Sequence, residues 1–142
     1  MARVLIGISE AADLAQAEVF ALYEAVGWAA YTRQSATLLA ALKGSSLLAT
    51  ARADGKLVGL ARAISDGATI CYVQDILVDP RHQRTGIGQG LLRLILAEYP
   101  GVRQKVLITD ADAGQGAFYE SVGFTEAHDL TPNPIRVFVR FD

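Results

Sequence analysis

The sequence predicts a mixed α+β domain, with a central sheet that is mostly antiparallel and helices that flank it. Two observations support this fold class. Three consecutive strand-like segments in the middle of the chain are separated by Asp-Gly dipeptides, which favour tight hairpins because glycine accepts a positive φ. A strand, a helix and a further strand follow, and this order predicts one parallel pair of strands joined by a right-handed crossover.

The N-terminal part of the chain predicts one strand and two helices. The apolar run RVLIG at 3–7 predicts the strand. Apolar residues at helical spacing predict helices over 13–26 and 35–43. We expect Asp13 and Ser35 to act as their N-caps and the second helix to stop near Gly44.

The remaining segments complete the predicted order. Apolar and β-branched residues predict the hairpin strands, and leucines at helical spacing predict a crossover helix that Pro100 ends. A late helix is expected to end at Gly123, and an alternating segment predicts a closing strand. The hairpin strands are 47–52, 56–65 and 69–78, the crossover helix is 90–99, the next strand is 105–109, the late helix is 114–122 and the closing strand is 135–141.

Composition excludes several classes of function. The 142 residues suit one domain, and the net charge of −2 without a basic run argues against a nucleic-acid-binding surface. No apolar run reaches the ~18 residues of a membrane span, and the N-terminus lacks the pattern of a signal peptide. Cys71 is alone, which suits a reducing cytoplasm. A zinc site with only His82 and His128 would have to recruit carboxylates, and the sequence shows no suitably spaced set, so no metal is expected.

A glycine-rich turn, RHQRTGIGQG at 81–90, leads into the crossover helix. Gly86, Gly88 and Gly90 either permit a tight connection only, or let an anion approach the unpaired N–H groups and the positive end of the helix dipole. Arg81 and Arg84 add charged donors. The P-loop and dinucleotide-binding patterns both fail on the glycine and lysine positions.

Residues 83–88, QRTGIG, match the pattern Gln/Arg-x-x-Gly-x-Gly/Ala. Together with DILVDP upstream and AFYESVGF downstream, this segment resembles the acyl-CoA N-acetyltransferase superfamily, called GNAT. The resemblance covers nearly the whole chain and implies a single N-acetyltransferase domain over 1–142 that uses acetyl-CoA. VQDILVDPRHQRTGIG and LYEAVGW resemble small bacterial members, some of which are grouped with arylalkylamine N-acetyltransferases.

The resemblance implies a coenzyme A site along the fourth strand and the glycine turn. A bulge in this strand would free the N–H of Ile76 for the thioester carbonyl, and the backbone of Val78 would pair with the pantetheine arm, while both side chains belong to the core. Many members carry asparagine at the position of Asp112, where it contacts the coenzyme arm. In this chain the carboxylate of Asp112 keeps that contact, or its loop serves the acceptor, or the loop is simply solvated. The implied residues are Ile76, Leu77, Val78, Gln83, Arg84, Thr85, Gly86, Ile87, Gly88, Asp112 and Tyr119.

Acetyl transfer to an amine requires three kinds of catalytic group. A primary amine with a pKa of about 10 must lose a proton, the oxyanion needs positioned donors, and the thiolate benefits from a proton donor. The resemblance assigns the proton donor to Tyr119, with a core position beside Phe118 as the alternative. Asp75, the one acidic residue in its apolar strand, is either the base or a residue that pins the bulge. Gln74 or Tyr72 could instead order a relay water.

The acceptor site is expected to contain Trp28, Tyr31 and Asp75, because an aromatic pair beside an acid suits a cationic amine. Trp28 as plain core is the alternative. The predicted function is acetyl transfer from acetyl-CoA to a small primary amine by direct attack. The alternatives are acetylation of a protein lysine or N-terminus, and a non-catalytic acyl-CoA-binding sensor. Because members of the family are commonly dimers, the resemblance also allows a homodimer.

Overall fold

The computed structural model describes residues 3–142, apart from the side chain of Ala113. These residues fall into two compact units, of which one ends at Ile108 and the other is Thr109–Asp142. No helix in residues 3–142 has the length and apolar character that crossing a bilayer requires. The prediction that 1–142 form one domain stays a prediction.

The first unit contains five strands and four helices. The strands are β1 (Val4–Ser9), β2 (Leu47–Ala53), β3 (Lys56–Ser65), β4 (Ile70–Val78) and β5 (Gln104–Leu107). The helices are α1 (Gln16–Ala25), α2 (Ala29–Thr32), α3 (Ser35–Gly44) and α4 (Ile87–Glu98). The second unit contains α5 (Ala113–Ser121). Single turns of 3-10 helix lie at Ala11–Asp13, Pro80–His82 and Ala127–Asp129.

The strands form one sheet in the order β1-β2-β3-β4-β5. Neighbouring strands are antiparallel except for the parallel pair β4 and β5, which confirms the predicted fold class. Asp54 and Gly55, with φ of 49° and 83°, form the two-residue turn between β2 and β3. In the connection between β3 and β4, the carboxylate of Asp66 accepts from the N–H groups of Ala68 and Thr69.

Helices cover both faces of this sheet. Leu60 and Leu77 face each other across β3 and β4 and belong to a buried cluster with residues of α1 and α3. The neighbouring Gly59 faces Ile87 and Leu91 of α4, because successive residues of a strand point to opposite faces. The sheet is therefore buried between α1 and α3 on one face and α4 on the other.

Gly59→Val is expected to destabilise the protein by about 1–3 kcal/mol, the usual cost of overpacking a core. A Cβ at Gly59 would lie 3.1 Å from both Ile87 Cγ2 and Leu91 Cδ1, and valine adds two further methyl groups. Urea unfolding measures the change. Gly101→Val is the control, because nothing lies within 4 Å of a Cβ there. Equal losses in the two variants would contradict the close packing of β3 on α4.

Both predicted N-caps are wrong. Asp13 lies in the turn of 3-10 helix, and α1 begins three residues later at Gln16. The N–H of Ala15 donates to Glu18 Oε1 at 3.3 Å, so a side chain from inside the first turn replaces the predicted cap. Ser35 is the first residue of α3, and no side-chain bond caps that helix.

The predicted closing strand over 135–141 is also wrong, since in the described structure this segment belongs to no strand. Alternating apolar residues favour an extended backbone, but a strand requires a neighbour that pairs with its N–H and C=O groups. The N–H of Ile135 instead donates to the carbonyl of Ala127 at 3.1 Å. The predicted helix end at Gly123 is confirmed, with φ of 97° just after α5.

Candidate active site

An open sheet edge lies at the C-terminal half of β4. The parallel pairing with β5 extends only from Ile70 with Gln104 to Val73 with Leu107. The rest of β4, residues 74–78, continues beyond this pairing, and no described strand pairs with it on that side. The backbone of residues 74–78 is therefore available to a ligand that pairs as a strand does.

The register with β3 determines which backbone groups face this open edge. The N–H of Asp79 donates to the carbonyl of Val58 at 2.8 Å. Because hydrogen-bonded and non-hydrogen-bonded pairs alternate in an antiparallel ladder, Leu77 directs its N–H and C=O toward β3. Ile76 and Val78, which face Ala61 and Gly59, direct theirs toward the open edge. This is the orientation that the predicted roles of Ile76 and Val78 require.

The residues next to this edge differ in the backbone groups that they leave available to a ligand. Gln83 Nε2 donates to the carbonyl of Val78 at 3.2 Å, which uses one of the two lone pairs of that oxygen. The side chain of Leu77 is 2% exposed and lies in the core. The backbone N–H and C=O of Leu77 pair with β3, so Leu77 leaves no backbone group available to a ligand at the open edge. The side chains of Ile76 and Val78 are half-buried.

The glycine turn connects β4 to α4. Asp79 is buried, and its carboxylate accepts from the N–H of Arg81 and pairs with the Arg81 guanidinium at 3.1 Å. Arg84 and Gly86 have φ of 61° and 86°, and Gly86 is the N-cap of α4 without a side-chain bond. The first N–H groups of α4 therefore lack the side-chain acceptor that usually satisfies one of them. Such a helix start attracts an anion.

Asp75 is the centre of a buried polar cluster. Its carboxylate, 3% exposed, accepts from Arg62 Nε at 2.6 Å, from Tyr23 Oη at 3.0 Å and from Tyr31 Oη at 2.9 Å. Burial raises the pKa of Tyr23, and the charge of Asp75 raises it further. Burial acts to lower the pKa of Arg62, but the hydrogen bond and charge of Asp75 outweigh it and raise that pKa. Tyr23 and Arg62 therefore keep their protons and donate them in hydrogen bonds to the Asp75 carboxylate.

The predicted aromatic residues lie beside this cluster. The ring centroids of Trp28 and Tyr31 are 6.1 Å apart, and each ring also packs near Tyr23, at 6.0 Å and 5.1 Å. Trp28 and Tyr31 are half-buried against the core of α1 and α3. Gln74 Nε2 lies 3.5 Å from Tyr31 Oη. The structure therefore brings together Trp28, Tyr31 and Asp75, and their role in an acceptor site stays a prediction.

Two predicted residues belong to the second unit. Asp112 is the N-cap of α5, and its carboxylate accepts from the N–H of Gly114 at 2.8 Å. Tyr119 packs edge-on against Phe118 and Phe124, with ring centroids 5.0 Å and 6.2 Å away. Burial raises the pKa of Tyr119, and the charge of Asp110 raises it further. The phenol therefore keeps its proton at neutral pH.

The second unit also contains a polar group that sequence spacing did not reveal. Glu126, His128 and Asp129 present three possible ligand atoms within 4.8 Å of one another. His128 lies 3.2 Å from an oxygen of each acid. All three side chains are exposed, and exposed acidic groups of this kind are common without a metal ion.

Sequence reasoning missed Arg62 and Tyr23. Arg62 is the one charged residue inside the apolar part of β3, GLARAI. This is the same signal that pointed to Asp75 in β4. Applied to both strands, it would have indicated two opposite charges in neighbouring strands.

The family model that describes the acetyltransferase (GNAT) domain matches residues 10–133 of this sequence. The chain belongs to the GNAT acetyltransferase family. This confirms the resemblance seen in the glycine turn and its flanking motifs, whereas the arylalkylamine subgroup stays a prediction. The matched region extends across the division between the two units at Ile108.

Individual GNAT proteins are similar over most of the chain. Histone acetyltransferase TAP1 of Glycine max is 31% identical over 82% of this chain and 54% of its own length. Mycothiol acetyltransferase of Clavibacter michiganensis is 32% identical over 89% of this chain and 39% of its own length. This chain thus spans about half, or less, of these relatives. A GNAT family acetyltransferase from Streptococcus pneumoniae, 28% identical, has a TM-score of 0.79 over 99% of this chain and 100% of that chain.

Proposed function

We propose that this GNAT domain transfers the acetyl group of acetyl-CoA to the amine of a small molecule. The observation that carries the proposal is the open edge of β4, where the backbone groups of Ile76 and Val78 precede the glycine turn and the uncapped start of α4. One segment of the chain thus offers donors for a thioester carbonyl, a strand-like partner for an amide-containing arm, and a site for a pyrophosphate. Both units belong to the single N-acetyltransferase domain in this proposal.

Acetyl-CoA binding uses backbone groups for the most part. The pantetheine arm pairs with the N–H and the second carbonyl lone pair of Val78. The pyrophosphate lies at the start of α4, where Ile87 contributes its N–H while its side chain is 4% exposed and packs in the core. The other residues of this pyrophosphate site are Gln83, Arg84, Thr85, Gly86 and Gly88. The carboxylate of Asp112 caps α5 by accepting from the N–H of Gly114. This contact supports a role for Asp112 in orienting the start of that helix.

The transfer itself proceeds by direct attack. The nitrogen of the free amine forms a bond with the carbonyl carbon, and the resulting oxyanion accepts a hydrogen bond from the N–H of Ile76. The C–S bond then breaks, and the thiolate takes the proton of Tyr119. The raised pKa of Tyr119 keeps this proton in place until the sulfur becomes basic. The acylated nitrogen releases its proton to solvent, and the Tyr119 phenolate takes a proton back from solvent, so the phenol is restored for the next turnover.

The contacts of Asp75 favour the second of its two predicted roles. Three protein donors already occupy its carboxylate, and one of them is the buried guanidinium of Arg62. The side chain of Asp75 is also only 3% exposed, so an incoming amine has little access to its oxygens. We therefore assign Asp75 to holding the strand, and we assign Trp28 and Tyr31 to contact with the acceptor.

The class of acceptor distinguishes this proposal from its main alternative. The half-buried pair Trp28 and Tyr31 suits one flat or cationic small molecule. The similarity to a histone acetyltransferase favours a protein acceptor, and the similarity to mycothiol acetyltransferase favours a small one. A sensor that only binds acyl-CoA would not need the proton donor Tyr119. Cytoplasmic location and a homodimer stay predictions.

A thiol-release assay with acetyl-CoA and a panel of amines tests the proposal. We expect turnover with at least one small amine, and mass spectrometry should show a gain of one acetyl group on that amine. Candidate proteins and peptides are assayed in parallel by the same mass measurement. Acetylation restricted to proteins would support the alternative, and binding of acetyl-CoA without any turnover would support the sensor.

Asp75→Asn tests the two roles of this carboxylate. Because the change leaves the Arg62 charge buried without its partner, we expect a loss of about 3–5 kcal/mol of stability. We also expect a lower rate that does not recover between pH 7 and 10. Melting temperature and a pH–rate profile measure these effects, with the exposed Asp13→Asn as control. Recovery of the rate toward the amine pKa of about 10 in a fully stable variant would instead identify Asp75 as the base.

A further inference from the structure

A β-bulge lies in β4 next to the open edge. Arg62 of β3 faces Asp75, but the next residue, Ala63, faces Val73. Gln74 is therefore the extra residue, and the register of the two strands shifts by one at this point. Arg62 and Asp75 form the pair next to the bulge, and the following pair contains Ile76.

The pair next to the bulge, Arg62 with Asp75, is a buried ion pair between the two strands. The side chains of Arg62 and Asp75 are 8% and 3% exposed, and their charged atoms are 2.6 Å apart. Tyr23 and Tyr31 tie the same carboxylate to α1 and α2. Among the residue pairs of β3 and β4, this is the one that joins opposite charges. Leaving either charge buried without its partner is costly, so the ion pair resists any change of register.

The register in turn sets the direction of the Ile76 N–H. Hydrogen-bonded and non-hydrogen-bonded pairs alternate along the ladder, so a slip of one residue would turn this N–H away from the open edge and toward β3. The same slip would move Leu77 out of the core, which apolar packing also opposes. The apolar contacts therefore determine which face of the sheet each side chain occupies. The ion pair in addition fixes the pairing of β3 and β4 one residue before Ile76.

We propose that Arg62 is a positioning residue for acetyl transfer. Through Asp75 it fixes the bulge at Gln74, and the bulge aims the N–H of Ile76 at the open edge. Arg62 itself contacts neither acetyl-CoA nor the amine. This inference rests on the proposed function for its effect on rate, whereas its effect on the register of β4 does not depend on turnover.

The experiment compares Arg62→Met, Arg62→Lys and the double variant Arg62→Met with Asp75→Asn. Below the melting temperature of each, we expect Arg62→Met to lower kcat about tenfold or more and to change the Kd for acetyl-CoA less than about twofold. Arg62→Lys keeps a charge for Asp75 and is expected to recover part of kcat. The double variant removes both charges, so its melting temperature rises above that of Arg62→Met while kcat stays low.

Arg52→Met is the matched control. Arg52 also lies in a strand and forms a 2.7 Å ion pair, with Glu18, but the two side chains are 30% and 27% exposed. This variant should keep the wild-type kcat. If the double variant regained kcat together with its stability, or if Arg62→Met kept the wild-type kcat, Arg62 would have a structural role only.

Hydrogen exchange of two amides tests the register without turnover. In the wild-type chain we expect fast exchange at Ile76 and slow exchange at Leu77, whose N–H pairs with β3. Addition of acetyl-CoA should slow exchange at Ile76. Arg62→Met should reduce the difference between the two amides and weaken the effect of acetyl-CoA, and an unchanged exchange pattern overturns the inference. A wild-type chain that acetylates no amine rejects the proposed function, and the exchange pattern still decides the role of Arg62.

Discussion

Tyr119→Phe is expected to lower kcat by about 10²–10⁴, the usual effect of removing a general acid. Without the phenolic proton the sulfur leaves as a thiolate, while the phenylalanine ring keeps the edge-on contacts with Phe118 and Phe124. Affinity for acetyl-CoA and the melting temperature should therefore change little. Initial rates of thiol release, calorimetric titration with acetyl-CoA and a thermal melt measure the three quantities on one preparation.

The control for this variant is Tyr99→Phe. Tyr99 is another half-buried tyrosine, at the C-cap of α4, and burial also raises its pKa. We assign it no catalytic part, so its loss of one hydroxyl should leave kcat unchanged. Turnover of Tyr119→Phe at the wild-type rate would place Tyr119 in the core of the second unit and remove it from the mechanism.

Gly86→Val is expected to weaken acetyl-CoA binding at least about 100-fold, which corresponds to about 2.8 kcal/mol. The φ of Gly86 is 86°, a conformation that a β-branched residue adopts only with strain. The backbone has to rotate to relieve that strain, and the N–H groups at the start of α4 then lose their common direction toward an anion. Calorimetric titration with acetyl-CoA measures the loss.

Gly67→Val separates loss of the site from general strain. Gly67 has φ of 76° in the connection between β3 and β4, and nothing lies within 4 Å of a Cβ at either glycine. Both variants should lower the melting temperature by a similar amount. Only Gly86→Val should lose affinity, and normal binding by that variant would falsify the assignment of the pyrophosphate to this turn.

The sequence pointed to Asp75 as a candidate site residue, but it did not supply the contacts on which its role depends. A lone acid in the apolar strand TICYVQDILV pointed to Asp75, but its role depends on Arg62, which stands 13 residues earlier. Pairing by simple counting back from Ser65 and Cys71 would place Arg62 opposite Gln74. The bulge moves the partner by one residue, and nothing in the local sequence fixes where a bulge forms.

The sequence by itself determined the antiparallel order of β2, β3 and β4, the parallel pair β4 and β5, the Asp-Gly turn between β2 and β3, the glycine turn before α4 and the membership of the family. These features depend on residues that are close in the chain, through φ preferences, helical spacing and short motifs. Only the tertiary structure decided that β4 continues past β5, that Ile76 and Val78 turn their backbone groups to the open edge, and that Arg62 holds Asp75. It also decided that the alternating segment 135–141 forms no strand. In each of these cases the outcome depends on a pairing partner distant in the sequence, and a local pattern carries no information about that partner.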